Sequence, residues 1–357
     1  DGLVDLGIAV SIGHDAANIP SDTDVIVYTE AATVENVERI EAAERGIAQM
    51  GHFDFLGELS KDYRTICVTG TNGKSTTTAM TGKVFIDAGL DPTVFVGSMV
   101  PGWKYGNVAV GSSDILIIEG DEYKQKMVKL WPETTVITNI EEDHLDVYRD
   151  LDHIIATFQE LVDKTKGKTF VNRDDVNSMR LDGKSIMPFA ASAIGDTKLM
   201  MPGAFNRINA AAAMVVAQEY GIADSAARVS LESFSGIWRR FERIGVFHGA
   251  QIISDYGHHP TAVRGTLDGA RECFPTSRIV LLFEPHQHNR TKALFSEFAE
   301  SFGGADVLML SEIYGVLGRT EDRDAAVSSE TLLVAAMQSN YPPKEGYYAA
   351  NLVDAEA

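Results

Sequence analysis

Thr65-Ile-Cys-Val-Thr-Gly-Thr-Asn-Gly-Lys-Ser-Thr-Thr-Thr78 decides how this chain is read. Its first half is β-branched and apolar, which predicts a strand. Its second half opens a helix whose Met80, Val84 and Ala88 share one face before Gly89 stops it. The loop between them is shaped for phosphate. Gly70 and Gly73 allow a sharp turn that points backbone N–H groups into one concavity, Lys74 adds a positive charge, and the helix N-terminus favours an anion. Ser75 or Thr76 then offers a hydroxyl to Mg²⁺. The general phosphate-loop pattern also asks for a glycine where Val68 stands, so an ordinary strand-to-helix turn is the competing reading.

Composition narrows the setting. A chain of 357 residues, 45% of them apolar, can bury a sizeable core and suggests two or three domains. The longest apolar run, 210–217, is too short to span a bilayer, so no membrane insertion is expected. A net charge of -20, from 31 basic and 51 acidic residues, opposes a phosphate-backbone interface, and nucleic acid is not expected as a partner. Cys67 and Cys273 make neither a disulfide framework nor a metal cluster, which fits a reducing cytoplasm.

Upstream of the loop, residues 1 to about 62 read as a small α/β unit. Strands are expected at Ile8–Ile12 and Val25–Tyr28, a helix from about Val34 to Arg45, and another around Phe53–Ser60. A complete unit would begin with one more strand and turn, so this one is expected to be incomplete. His14 stands just beyond the first strand, either as a donor to a ligand or as an ordinary surface-loop histidine.

Downstream, strands run into polar clusters. Asp114–Ile118 leads to Glu119-Gly-Asp121-Glu122, Thr135–Ile140 leads to Glu141-Glu-Asp-His144-Leu-Asp146, and Thr169–Val171 leads to Asn172-Arg-Asp-Asp175. In open parallel sheets the ligand crevice lies outside the carboxyl ends of the strands, where these clusters and the glycine loop would converge. Glu119 is then placed to reach Mg²⁺ beside Ser75, and His144 to bind a second Mg²⁺ or donate to phosphate; a solvated charge run is the alternative for 141–146. Asn206 and Asn209 precede the alanine-rich helix predicted over 210–218, as caps or as readers of an adenine edge.

Beyond Trp238-Arg-Arg-Phe-Glu242 a fresh series of strands begins, at Gln251–Ser254, Ile279–Phe283 and Val307–Leu310. Two of them end in Asp255-Tyr-Gly-His258-His259-Pro260 and Glu284-Pro-His286-Gln-His288-Asn-Arg290. Without a thiolate beside them, these histidines read as ligand clamps in preference to a zinc site. The last domain shows no obvious final strand and is also expected to be incomplete.

Together these segments resemble the Mur ligases of peptidoglycan precursor synthesis, most closely the branch that joins L-alanine to UDP-N-acetylmuramate. The motifs are Gly13-His-Asp-Ala-Ala-Asn-Ile19, Gly70-Thr-Asn-Gly-Lys-Ser-Thr76, Glu119-Gly-Asp-Glu122, Thr138-Asn-Ile-Glu-Glu-Asp-His-Leu-Asp146, Pro202-Gly-Ala-Phe-Asn-Arg-Ile-Asn-Ala210, Arg239-Arg-Phe-Glu242, Asp255-Tyr-Gly-His-His-Pro260 and Glu284-Pro-His-Gln-His-Asn-Arg-Thr291. The resemblance implies an α/β fold of three domains. A Rossmann-like N-terminal domain (1–62) would hold the UDP-sugar, and a central P-loop ATPase domain with a mostly parallel sheet (63–238) would hold ATP. A Rossmann-like C-terminal domain (239–357) would carry the amino acid.

The same resemblance distributes roles. Gly70, Thr71, Asn72, Gly73, Lys74, Ser75 and Thr76 would hold the phosphates, and Ser75, Glu119 and His144 the magnesium ions. Asn206, Asn209, Arg240 and Asp255 would complete the ATP site, and His14, His258, His286 and Arg290 would face the substrates. Lys74, Glu119 and His144 would be catalytic. Several departures bear on the second substrate. Asn72 and Ser75 lie nearer the folylpolyglutamate synthetases; Tyr123 follows Asp-Glu as in murein-tripeptide recycling ligases; Phe205 replaces a usual histidine, and Gln287 and His288 an arginine and a tyrosine. A tripeptide recycling ligase and a folylpolyglutamate-type ligase are therefore alternatives, and a nucleotide-gated binding protein is the alternative of another class.

Overall fold

A computed structural model describes residues 2–5, 7–145, 147–315 and 327–350. At the N-terminal end, β1 (Val25–Tyr28) pairs in parallel with β2 (Ala48–Gly51) across the helix Val37–Glu44. The expected strand over 8–12 does not form. Ile8, Val10 and Ile12 are exposed, and among the described residues no strand lies beside them to complete a ladder. β2 was not anticipated, because Ala48-Gln-Met-Gly51 has neither alternation nor β-branching and becomes a strand only by pairing with β1.

The centre is a seven-stranded sheet in the order β5-β4-β6-β3-β7-β8-β9. Its strands are β3 (Arg64–Thr69), β4 (Thr93–Phe95), β5 (Val108–Ala109), β6 (Ile115–Glu119), β7 (Thr134–Ile137), β8 (Thr169–Asn172) and β9 (Ile186–Phe189). All pairings are parallel except β4 with β5. A parallel sheet must be covered on both faces, which is why Ile66-Cys-Val68 and Leu116-Ile-Ile118 are continuously apolar and buried. The helices Lys74–Asp87 and Ala204–Glu219 cover one face, where Ala210 to Ala213 let the two helices approach closely around Met80, Val84 and Phe85. On the other face the helix Leu151–Lys164 packs Phe158 and Leu161 against Cys67 and Ile118. Leu56 joins that second core, so the helix His52–Leu59 packs on the central sheet although it precedes it in the chain.

Past residue 238, β10 (Glu242–Phe247) and β11 (Ala250–Ser254) form an antiparallel hairpin turning at His248-Gly249, both with positive φ. The strand expected at 251–254 forms, as the return arm of this hairpin; its partner β10 is a strand that the sequence reading does not include. A parallel three-stranded sheet follows in the order β12-β13-β14, from Val280–Phe283, Val307–Ser311 and Glu345–Ala349. β14 corrects the expectation that no further strand would appear; its Glu-Gly-Tyr-Tyr-Ala sequence lacks an apolar run and is recruited by its neighbour. The core here joins Leu267, Phe283, Phe298, Phe302, Leu308 and Leu332.

Candidate active site

The carboxyl ends of β3, β6 and β7 open onto one cleft of about 940 Å³ beneath the C-terminal unit. Thr71, Asn72, Gly73, Lys74, Ser75, Glu119, His144, Arg240, His258, His286 and Arg290 all line it, although the sequence scatters them over more than 200 residues.

The loop is held by close backbone approach. At Gly70 (φ 132) a Cβ would meet Thr138 Oγ1 at 2.1 Å, and at Gly73 (φ 87) it would meet Asn209 Oδ1 at 2.4 Å. Only glycine fits either position. Asn139 then ties the turn down, accepting from Asn72 N at 2.9 Å and donating to Asn72 O at 2.9 Å. Lys74 Nζ donates to the carbonyls of Gly70 (2.7 Å) and Thr71 (3.1 Å) and to Glu122 Oε1 (2.9 Å). Burial alone would lower the Lys74 pKa, but the carboxylates around it, Glu122 first and then Glu119 and Asp121, together outweigh burial and raise it.

Glu119 ends β6. Ser75 Oγ donates to its Oε1 at 2.9 Å and Gly97 N to its Oε2 at 2.6 Å, while a Cβ on Gly97 would sit 2.9 Å from both oxygens. Burial raises the Glu119 pKa against the pull of Lys74, so this carboxylate gains by acquiring a further cation. A hydroxyl and a carboxylate here fit Mg²⁺, which takes few protein ligands and completes its shell with phosphate and water. Among the described residues no group of three or more His, Cys, Asp or Glu is arranged to hold a metal unaided.

Beyond β7 the loop that carries His144 bridges the two large units. His144 has φ 55, and its Nε2 lies 3.5 Å from Glu122 Oε1; the Tyr123 ring packs on it at 4.9 Å. Asp143 accepts from Arg290 Nε at 3.0 Å and Nη2 at 3.3 Å, with both side chains 6% exposed. This pairing overcomes burial and holds the Asp143 carboxyl well below the usual range. Glu141 Oε2 lies 3.1 Å from His259 Nδ1 and 3.4 Å from Asn72 Nδ2, so one carboxylate touches both the glycine loop and the C-terminal unit. Left-handed backbone at Lys124, His144, Arg239 and Gln287 gathers around the same cleft, the usual location of stored strain.

The remaining candidates, Arg290 apart, fall elsewhere. Asn206 and Asn209 are neither caps nor cleft-lining, because the helix begins at Ala204 with Gly203 as its cap and encloses both. Asn206 donates to Pro202 O at 2.7 Å and accepts from Asn209 at 3.3 Å; Asn209 braces Gly73 from below. Asp255 organises a turn, accepting from Phe241 N and Gly257 N. Thr76 is buried behind the loop. His14 pairs with Glu38 at 3.0 Å in a separate N-terminal pocket of about 410 Å³, away from the cleft. Arg290 reaches the cleft with its guanidinium already committed to Asp143. Glu122, Glu141, Asp143 and His259 were not singled out from sequence, although each lies within a quoted motif. Asp146, which closes one of those motifs, lies outside the described residues.

Known proteins resemble this chain along most of its length. Residues 68–187 match the Mur ligase middle domain and residues 239–356 the Mur ligase glutamate ligase domain. A UDP-N-acetylmuramate–L-alanine ligase of Clostridium tetani is 35% identical, the match covering 93% of this chain and 78% of that protein. One of Solibacter usitatus is 38% identical, over 93% and 76%. Among solved structures, UDP-N-acetylmuramate-alanine ligase of Thermotoga maritima aligns with a TM-score of 0.79 at 25% identity, covering 99% of this chain and 83% of that one. The fold alone is shared with a murein peptide ligase of Psychrobacter arcticus, at TM-score 0.68, 22% identity and coverage of 99% and 83%. Among the described residues no helix is long and apolar enough to cross a membrane. With a glycine loop facing Glu119 and His144 across one cleft, and relatives of this identity along most of its length, the chain belongs to the Mur ligase family.

Proposed function

We propose that the protein is an ATP-dependent ligase of peptidoglycan precursor synthesis that adds L-alanine to UDP-N-acetylmuramate. The names of its relatives supply the two substrates. The convergence of Lys74, Glu119 and His144 beneath a C-terminal unit carrying His258 and His286 is the observation that carries the chemistry.

A carboxylate is a poor electrophile and an ammonium no nucleophile, so the acid must be activated first. The substrate carboxylate attacks the γ-phosphorus of ATP, ADP leaves, and the amine then attacks the carbonyl of the acyl phosphate to release phosphate. Charge builds on the transferring phosphoryl group, and Lys74 with the loop N–H groups lies where it would be neutralised. Ser75, Glu119 and His144 would hold Mg²⁺, which screens phosphate charge when bound. The contacts of Arg290 with Asp143 and His259 with Glu141 support closure of the C-terminal unit over the cleft, which would keep water from the acyl phosphate. The free Cys67 and Cys273 support a cytoplasmic setting.

The test is ADP release with UDP-N-acetylmuramate plus L-alanine, with the same sugar nucleotide plus murein tripeptide, and with folate plus glutamate. Turnover is expected with the first pair; turnover only with folate would end the cell-wall reading. Lys74→Ala should cut turnover by roughly a hundredfold or more with the circular dichroism spectrum unchanged.

A further inference from the structure

Lys74 already has an anion. An ammonium has three N–H donors, and those of Lys74 are directed to Gly70 O, Thr71 O and the Glu122 carboxylate. The two carbonyls belong to the same loop and move with it. Glu122 comes from a different segment, lies 2.7 Å from Nζ through its second oxygen, and has a side chain only 5% exposed. Its backbone is pinned, since Tyr148 Oη and Gln125 N both donate to Glu122 O. Left-handed residues at Lys124 and Gln125 then turn the chain away. The carboxylate thus stands at the mouth of the glycine loop, where a phosphate oxygen reaching Lys74 would arrive. The two negative charges cannot share the ammonium without repulsion.

We propose that Glu122 is a resident counter-ion: a positioning residue that keeps the Lys74 ammonium aimed while the loop is empty, and is exchanged for nucleotide phosphate on binding. The assignment rests on the phosphate-site reading above. It has a consequence of unusual sign, in that removing the charge of a buried, cleft-lining side chain strengthens ligand binding. Glu122→Gln keeps the shape of the side chain and discards the competitor. A residue that merely braced the loop would, on the same substitution, loosen it and weaken binding.

The experiment is calorimetric titration of the full chain with ADP in EDTA, so that no metal contributes. Glu122→Gln should lower the Kd for ADP by roughly tenfold, the scale of one charge-assisted hydrogen bond. Its unfolding temperature without nucleotide should fall, because Lys74 loses its partner, and ADP should restore it by a larger increment than in the unmodified protein. An unchanged or raised Kd overturns the assignment. If the glutamine variant does not fold, Glu122→Asp carries the test, since it draws the carboxylate back by one methylene and should give a smaller gain; a loss of affinity overturns it. Lys74→Ala distinguishes the counter-ion from the phosphate site itself. ADP binding by the unmodified protein that Lys74→Ala abolishes keeps the phosphate site, so that an untightened Glu122→Gln removes only the counter-ion. No ADP binding, or binding indifferent to Lys74, removes both.

Discussion

His258 lines the cleft with one ring nitrogen already committed. Its Nδ1 lies 3.0 Å from the Tyr256 carbonyl, which can only accept, so Nδ1 carries the hydrogen and Nε2 keeps its lone pair. Burial pushes its pKa down to about 3; Arg290 and Arg240 push the same way, and Asp143 and the Tyr256 carbonyl pull back. An unfolded histidine titrates near 6.5. The folded value is the lower, so the contribution of this group to stability is complete above about 6.5 and is lost as pH falls toward about 3. His258→Asn should therefore show a shallower fall in unfolding temperature between pH 7 and 5 than the unmodified protein, measured by scanning calorimetry. A steeper fall would contradict a neutral imidazole. The sequence showed that this histidine ends a strand-like segment, but its charge state follows from neighbours brought in by other elements.

At the scale of elements, the strand–loop–helix unit was legible because its chemistry is local. The apolar run of β3, the glycines and the helix from Lys74 follow one another between residues 64 and 87 and need no distant partner to be read. What could not be read is what the glycines face. Gly73→Ala should reduce ADP affinity at least tenfold and lower the unfolding temperature, since Asn209 Oδ1 occupies the space its Cβ needs. Gly89→Ala is the control. It shares a positive φ (79°) but has nothing within 4 Å, so it should cost only about 1–2 kcal/mol of backbone strain and leave ADP binding intact. Equal losses in both would mean that strain alone, and not the fit against Asn209, makes Gly73 necessary. The elements misread from sequence share one cause. The segment 8–12 has the residues of a strand without a neighbour, whereas β2 and β14 have neighbours without the residues.

At the scale of the whole molecule, the loop 141–144 joins the central and C-terminal units through buried charge. Removing Arg290 would strand Asp143, and breaking a pair buried to this degree costs about 3–5 kcal/mol. Arg290→Ala should then let the C-terminal unit move away, seen as a larger radius of gyration in solution scattering and earlier proteolytic cleavage near residue 238. Arg290→Lys should restore only part of the closure, because a point charge cannot reproduce two parallel N–H bonds to one carboxylate. Unchanged scattering in the alanine variant would show that the remaining contacts, among them His259 with Glu141, suffice to hold the units together.

The sequence by itself determined that this is an acidic α/β protein with a glycine-rich strand-to-helix turn at residues 70–76 and polar clusters at the ends of its strands. Periodicity, glycine placement and charge all act over a few residues, and such features survive whatever the rest of the chain does. Only the tertiary structure decided which members of those clusters meet. Asp143 and Arg290 are 147 positions apart, Lys74 and Glu122 are 48 apart, and Gly73 and Asn209 touch only because two helices pack. Hydrogen-bond and charge partners depend on distances of about 3 Å between segments whose relative placement is set by core packing, and no local pattern records that placement.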